Sequence, residues 1–220
     1  MGLKVTEGGG GGDFTPVPAG VHIGVCNQVI DLGTHDNTYQ GETKKRHEVY
    51  IGWQIPALLI DVEVDGKQEK HTMEIGNFYT MSLNAKAKLR KHLDAWRGRD
   101  FTKEELDGFE LFSIIGAACQ LQVTNTTAQD GKVKAKVETI MALPAGVPKP
   151  ELVGDAVTYS LDDGGEIGAG VKQGLAKIIS TSFEWQAMCR AEGTTDTTTG
   201  VEQVPTQAEV DAVPEADLPF

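Results

Sequence analysis

Three aromatic and three basic residues lie close together in one stretch of the chain: Tyr39, Lys44, Lys45, Arg46, Tyr50 and Trp53. Exposed aromatic rings can stack on nucleic-acid bases, and cationic side chains along the same groove can bind the phosphates between them. The stretch therefore predicts a surface for single-stranded nucleic acid. The alternative interpretation is a basic hairpin loop whose aromatic residues belong to the hydrophobic core.

Residue alternation divides the aromatic members of this stretch. Val49, Ile51 and Trp53 share one parity, whereas Tyr50 has the opposite parity. Successive side chains of a strand point to opposite faces, so Tyr50 is expected opposite the apolar residues. Trp53 shares the apolar parity, and a core position is the alternative to base stacking for this residue.

Two further basic sets lie later in the chain. The first contains Lys86, Lys88, Arg90, Lys91, Arg97 and Arg99, and the second contains Lys132, Lys134 and Lys136. We predict DNA contacts from Lys86, Arg90, Arg97 and Arg99, and from all three lysines of the second set, which share one strand face. Solvated surface is the alternative for both sets, and the two arginines beside Gly98 could instead join two helices.

A net charge of −12 argues against nucleic-acid binding until its distribution is considered. Residues 191–220 hold seven acidic and no basic residues, and residues 151–190 hold six acidic and three basic residues. Residues 1–150 hold 19 acidic and 17 basic residues, a net charge of only −2. Because local patches decide such binding, a nearly neutral body with clustered bases is compatible with it.

Patterns that would support catalysis are weak. The five histidines show no H-x-x-x-H spacing, and the glycine run at 8–12 lacks the context of a phosphate-binding loop. Asp61, Glu63 and Asp65 alternate as a nuclease metal site would, although a solvent-facing strand explains them better. We predict no catalytic residues, no metal ligands and no cofactor.

The cysteines and the hydropathy bear on location. Cys26, Cys119 and Cys189 are far apart and odd in number, which predicts isolated thiols in a reducing compartment. The sequence shows neither a secretory signal pattern nor an apolar stretch of membrane-spanning length. We therefore expect a soluble cytoplasmic protein.

Period-two alternation predicts four strands in the first part of the chain, at residues 21–30, 47–55, 58–64 and 67–75. A polar stretch at 31–42 predicts a loop, and Pro56 is expected to separate the second strand from the third.

The period then changes to that of a helix. We expect this helix to begin at a Ser82 or Asn84 cap and to end at Gly98, and residues 102–105 predict a capping box for a second helix. Two more alternating strands follow, near 119–123 and 133–137.

The chain divides into four expected parts: a disordered glycine-rich stretch at 1–14, a nucleic-acid-binding domain at 15–145, a linker with one appended helix at 146–190, and a disordered acidic tail at 191–220. Strands, an inserted helical segment and closing strands in this order predict a mainly β fold. The expected architecture is a five-stranded antiparallel barrel of the oligonucleotide/oligosaccharide-binding (OB) kind. An open α+β sheet is the alternative.

Two sequence features resemble known proteins. The segment Asp217, Leu218, Pro219 and Phe220 resembles the acidic, phenylalanine-ended tip of bacterial and phage single-stranded DNA-binding proteins. The motifs FYTMSL at 78–83, LRK at 89–91, WRGR at 96–99, FTKEEL at 101–106 and GF at 108–109 resemble phage replication-region proteins regarded as OB-type single-strand binders.

The resemblance implies sequence-independent binding of single-stranded DNA in phage replication or recombination, inside the host cell. It also implies that residues 217–220 recruit replication or recombination proteins. A homodimer or a cooperative array is compatible with a single OB domain, and no membrane partner is expected. The alternatives are an adaptor that binds only protein and a metal-dependent nuclease subunit.

Overall fold

A computed structural model describes residues 15–39, 41–64, 67–128, 131–164 and 166–191. Three long strands come first: β1 (Gly20–Tyr39), β2 (Glu42–Val64) and β3 (Lys67–Thr80). The helices α1 (Lys88–Arg97) and α2 (Lys103–Asp107) and a 3-10 turn (Leu111–Ile114) follow. The remaining elements are β4 (Ala118–Thr127), β5 (Val133–Met141), β6 (Val157–Tyr159), α3 (Gln173–Ser180) and α4 (Phe183–Ala191).

The strands form one sheet in the order β3-β2-β1-β4-β5, and all neighbours on this path are antiparallel. Strand β1 is shared: its first part pairs with β4, and the part from Val25 onward pairs with β2. Beyond Val25, β6 replaces β4 as the neighbour of β1 and pairs with it in parallel at residues 28–30. The prediction of a mainly β fold is confirmed.

The two ends of the sheet approach each other at α1. Cα atoms of β3 and β5 come within 8 Å, and α1 lies against both strands. Its apolar face explains this position, because Leu89, Leu93 and Trp96 are all buried. Trp96 packs on Trp53 with ring centroids 5.8 Å apart and donates its indole N–H to the Ala118 carbonyl at 3.0 Å.

Two hydrophobic clusters lie on opposite faces of the long strands. The inner cluster includes Val49, Ile51 and Trp53 of β2 together with α1, β3, β4 and β5. The outer cluster joins Tyr50 and Ile30 to residues from β6 and α3. We call residues 157–191 the C-terminal segment; it covers the outer face of β1 and β2, so both faces of these strands are buried there.

Several predicted boundaries are wrong. The predicted loop at 31–42 is β-strand up to Tyr39, since cross-strand pairs run from Thr34↔His47 to Tyr39↔Glu42. Residues 47–55 and 58–64 form one strand, because a register irregularity between Ile55 and Leu59 accommodates Pro56.

The helix predictions have mixed outcomes. The Thr102–Glu105 capping box is confirmed, and Gly98 ends α1 in a left-handed conformation with φ of 69°. The first helix begins later than predicted, after Ala87, which provides no side-chain cap. The single appended helix is in fact two, because the Ser182 hydroxyl accepts the Trp185 N–H at 3.2 Å and so caps a new helix.

Candidate nucleic-acid interface

The β1–β2 hairpin carries most of the first predicted cluster, and its register assigns each side chain to a face. Residues directly opposite in an antiparallel pair lie on the same face. Tyr39, paired with Glu42, therefore shares a face with Lys44 and Arg46, whose partners are Asn37 and His35. Lys45 lies on the other face, opposite Asp36.

The first hairpin face combines a ring with two cations. Tyr39 is 68% exposed, and Lys44 and Arg46 are exposed as well. The Lys44 ammonium lies 2.9 Å from the Glu42 carboxylate, but both side chains are about 70% exposed, so the pair is weak and open to a competing phosphate. We call Tyr39, Lys44 and Arg46 the hairpin face.

The second hairpin face meets α4. The Lys45 ammonium lies 4.0 Å from the centroid of the Phe183 ring, within the range of a cation–π interaction. Phe183 is 39% exposed. Sequence analysis predicts an appended helix in this part of the chain but gives no sign that Phe183 lies against Lys45.

The base of the hairpin is fixed to the C-terminal segment by hydrogen bonds. His47 Nε2 lies 2.6 Å from Asp31 Oδ1, and Asp31 Oδ2 accepts the Leu161 N–H. The Glu184 carboxylate accepts the Thr34 N–H at 2.8 Å. The hydrogen bond with Asp31 raises the pKa of His47 despite partial burial. Burial acts to raise the pKa of Asp31, but the hydrogen bonds that it accepts lower it overall.

A second polar junction lies under α3 on the outer face of the sheet. Glu74 accepts hydrogen bonds from Asn27 at 2.6 Å and Gln28 at 3.0 Å, and from the Lys172 ammonium at 2.8 Å. Lys172 immediately precedes α3. Together the two junctions fix the C-terminal segment to the sheet at Leu161, Lys172 and Glu184.

Tyr50 and Trp53 are both buried and offer no exposed ring face for a base, which corrects their assignment as stacking residues. Trp53 is 0% exposed in the inner cluster. Tyr50 has the predicted opposite parity but is only 3% exposed, because the C-terminal segment covers that face. Its ring lies so close to β3 that a Cβ on Gly76 would stand 2.0 Å from the Tyr50 hydroxyl.

The arginines of the helical region are engaged within the protein. Arg97 and Arg99 both pair with Glu105, which joins α1 to α2 as the alternative interpretation proposed. The guanidinium of Arg97 also lies 4.3 Å from the Phe101 ring and 5.4 Å from the Phe109 ring. The hydrogen bond from Arg99, helped by the Thr102 N–H and Arg97, lowers the pKa of Glu105 to about 2.

The remaining predicted DNA contacts in and near α1, Arg90 and Lys86, differ in exposure. Arg90 donates to the Leu83 carbonyl at 3.2 Å and lies 3.6 Å from Asp94, so it closes the turn before the helix. Lys86 is exposed on that turn. Of these predicted DNA contacts, Lys86 alone has no hydrogen bond or ion pair among the interactions of the described residues.

The lysines of β5 lie as predicted on the strand face opposite buried Val137. Lys134 and Lys136 are paired with Thr126 and Thr124, and Lys132 lies just before the strand. Lys136 is 3.3 Å from Glu138. Its charge also acts on Lys88 of α1, whose pKa is lowered first by burial and then by Lys136.

The basic set of the helical region and the lysines of β5 come together where α1 packs against β5. His92 of α1 lies 2.9 Å from the buried Tyr79 hydroxyl, and burial followed by the Lys88 charge lowers its pKa to about 4. The imidazole is therefore neutral at physiological pH. The hairpin belongs to a different part of the sheet, since β4 separates β1 from β5.

No group of three or more His, Cys, Asp or Glu residues that could hold a metal ion occurs within the described ranges. Asp61 lies 3.0 Å from Lys70, and both side chains are exposed. In the same part of the chain, no helix has the length and apolar character needed to cross a membrane. Asp65 and residues 217–220 lie outside the described residues.

No protein-family model matches the sequence, and a search of curated proteins found no match.

Proposed function

We propose that this protein binds single-stranded DNA without reading its sequence. The observation that carries the proposal is the hairpin face, on which an exposed ring lies beside two exposed cations. Tyr39 would stack on a base, while Lys44 and Arg46 bind the neighbouring phosphates. None of these contacts distinguishes one base from another, because every base presents a π-face.

The strand order supports an OB-type barrel as the scaffold. In such a barrel β1 pairs with both β2 and β4, and a helix follows β3, which is the arrangement found here. Closure would require β3 and β5 to pair, and their approach beside α1 favours it. The predicted five-stranded barrel with an inserted helical segment thus remains our proposal for the architecture.

The C-terminal segment affects where DNA would bind. OB barrels commonly bind oligonucleotides over strands 2 and 3 and the loops beside them. Here α3, α4 and β6 cover part of that face through Tyr50 and Phe78. We therefore place the binding path at the exposed hairpin, with Lys132, Lys134 and Lys136 at the β4–β5 turn as additional phosphate contacts.

The acidic tail has a separate proposed role. Residues 191–220 carry seven acidic and no basic residues, and the chain's Asp217, Leu218, Pro219 and Phe220 resemble a partner-recruiting tip. We propose that they bind an apolar pocket ringed by basic residues on a replication or recombination protein of a phage-infected cell. Without DNA, the same charge could lie over the basic hairpin and compete with the strand.

The test is a fluorescence titration with oligo-dT at low and at moderate salt. We expect tight binding at low salt and a steep loss of affinity as salt rises, since bound cations release counterions from the phosphates. No binding at low salt would overturn the proposal and leave the protein-binding adaptor. Magnesium-dependent cleavage of the oligonucleotide would instead favour the nuclease alternative.

The tail requires its own experiment. Removal of residues 217–220 should leave affinity for oligo-dT equal or higher, because negative charge is lost, while capture of replication proteins from infected cells is abolished. Weaker DNA binding by the shortened chain would contradict the proposed competition.

A further inference from the structure

Phe183 is an exposed aromatic ring that packing does not explain. The apolar residues of α3, Leu175 and Ile179, are buried in the outer cluster, and Trp185 and Met188 of α4 pack against it. Phe183 is not a member of that cluster and remains 39% exposed. The ring contacts the exposed Lys45 of the hairpin, whose ammonium nitrogen lies 4.0 Å from the ring centroid.

The backbone at Phe183 is nevertheless fixed, because both of its neighbours in sequence are anchored to β1. Ser182 is 0% exposed and lies so close to β1 that a Cβ on Gly33 would stand 2.5 Å from the Ser182 Cβ. Glu184 is tied to the Thr34 N–H. A backbone held between two anchored residues leaves the ring only its own side-chain torsions, so less conformational entropy is lost on binding.

We propose that Phe183 and Lys45 form a second nucleic-acid subsite, in which a base takes the place of the Lys45 ammonium on the phenyl ring and the released lysine binds an adjacent phosphate. This inference rests on the proposed function and extends it to a residue outside the OB barrel. The subsite lies on the hairpin face opposite Tyr39, so one strand that crosses the hairpin would meet a stacking ring on each side.

The charges around the subsite determine which of its two contacts dominates. Lys45 lies opposite Asp36, and the carboxylate of Glu184 next to the ring is already engaged by Thr34. Both carboxylates keep their negative charge and so oppose the attraction of Lys45 for phosphate, and stacking should supply most of the affinity. Stacking contributes with little dependence on salt, whereas phosphate contacts are salt-dependent.

The experiment compares Phe183→Leu and Phe183→Trp in the full chain, titrated with oligo-dT. The leucine keeps an apolar side chain without a π-face, and we expect affinity to fall by about tenfold with an unchanged salt dependence. The tryptophan should hold affinity within about twofold and add fluorescence that the oligonucleotide quenches. Leu59→Ala is the matched control, since Leu59 is 54% exposed on β2 far along the strand from the hairpin.

A purely structural role for the ring predicts a different pattern. If Phe183 only holds α4 to the hairpin, Phe183→Leu lowers the melting temperature but leaves the affinity of the folded protein unchanged, and the inference is overturned. The same holds if the added tryptophan is not quenched. Failure of the wild-type chain to bind any oligonucleotide would instead overturn the proposed function itself.

Discussion

The hairpin and the α1–α2 region look alike in sequence and differ in structure. Each combines basic residues with aromatic ones, as in Lys44 to Arg46 near Tyr39 and Arg97 to Arg99 near Phe101. In the helical region both guanidinium groups are paired with Glu105, and that of Arg97 also packs on two rings. On the hairpin Tyr39, Lys44 and Arg46 are exposed, and the pair that Lys44 forms with Glu42 is itself exposed.

We expect a cation to contribute to ligand binding where no interaction shielded from solvent already holds it. The Arg97–Glu105 pair is largely shielded from solvent and so supports the fold, whereas the Lys44–Glu42 pair is about 70% exposed and exchanges readily with a phosphate. Removing bases from the two regions should therefore change different properties: the free energy of unfolding in one, and affinity for DNA in the other.

The largest expected effect concerns stability. Arg97→Met should lower the free energy of unfolding by about 2 kcal/mol, because the guanidinium packing on Phe101 and Phe109 is lost, while Arg99 keeps Glu105 paired. Urea denaturation measures this change, with the exposed Lys91→Met as control. A stable Arg97→Met protein with reduced DNA affinity would reverse the comparison between the two regions.

The next effect concerns affinity without stability. Tyr39→Ala should weaken oligo-dT binding by about 1–3 kcal/mol, the range for one stacked base, while the melting temperature changes little because the ring is 68% exposed. Tyr39→Phe keeps the π-face and serves as the matched control. Equal affinities of the alanine and phenylalanine variants would exclude Tyr39 as a stacking residue.

A smaller effect concerns the salt dependence of DNA affinity, to which the cations of the two regions should contribute differently. Replacing Lys44 and Arg46 together by glutamine should reduce the slope of log affinity against log salt by about 1.4, the value expected for two phosphate contacts on a single strand. Arg99→Gln, which removes a base already paired with Glu105, should leave the slope unchanged. Equal changes in both variants would mean that the region near α2 also contacts phosphate.

The smallest effect is a pH dependence at the base of the hairpin. The pKa of His47 is raised above its ordinary value of 6.5, so its pairing with Asp31 stabilises the fold fully below that pH. The contribution is lost as pH rises through the raised pKa. Because His47 is about one-third exposed, we expect a loss below about 1 kcal/mol.

Thermal melts at a series of pH values measure this loss. His47→Gln should abolish the loss of stability as pH rises above the ordinary His pKa of 6.5, whereas His71→Gln on an exposed part of β3 should retain it. A His47→Gln protein whose stability still falls over this range would assign the dependence to another group.

Local patterns in the sequence were sufficient for much of the fold. Alternation located the strands, the Thr102 and Glu105 side chains marked a helix start, and Gly98 marked a helix end. These features depend on neighbours within a few residues, so sequence reasoning reaches them. The loop predicted at 31–42 failed because a polar hairpin that extends away from the core lacks the apolar alternation by which strands are recognised.

The candidate site was predictable only in part. The basic cluster and Tyr39 were found from composition and spacing, and Tyr50 was assigned the correct parity. Its burial depends on the C-terminal segment, more than 100 positions away, which covers the second face of β2. Phe183 was missed for the same reason, since nothing near it in sequence indicates that it lies against Lys45.

The sequence by itself determined the mainly β character, the parity of each side chain and the uneven distribution of charge. Tertiary structure alone decided which cations remain available: Glu105 engages Arg97 and Arg99, while the hairpin register leaves Lys44 and Arg46 on the face with Tyr39. The physical reason is that propensity and alternation act between near neighbours, whereas burial and ion pairing depend on segments that meet only after folding.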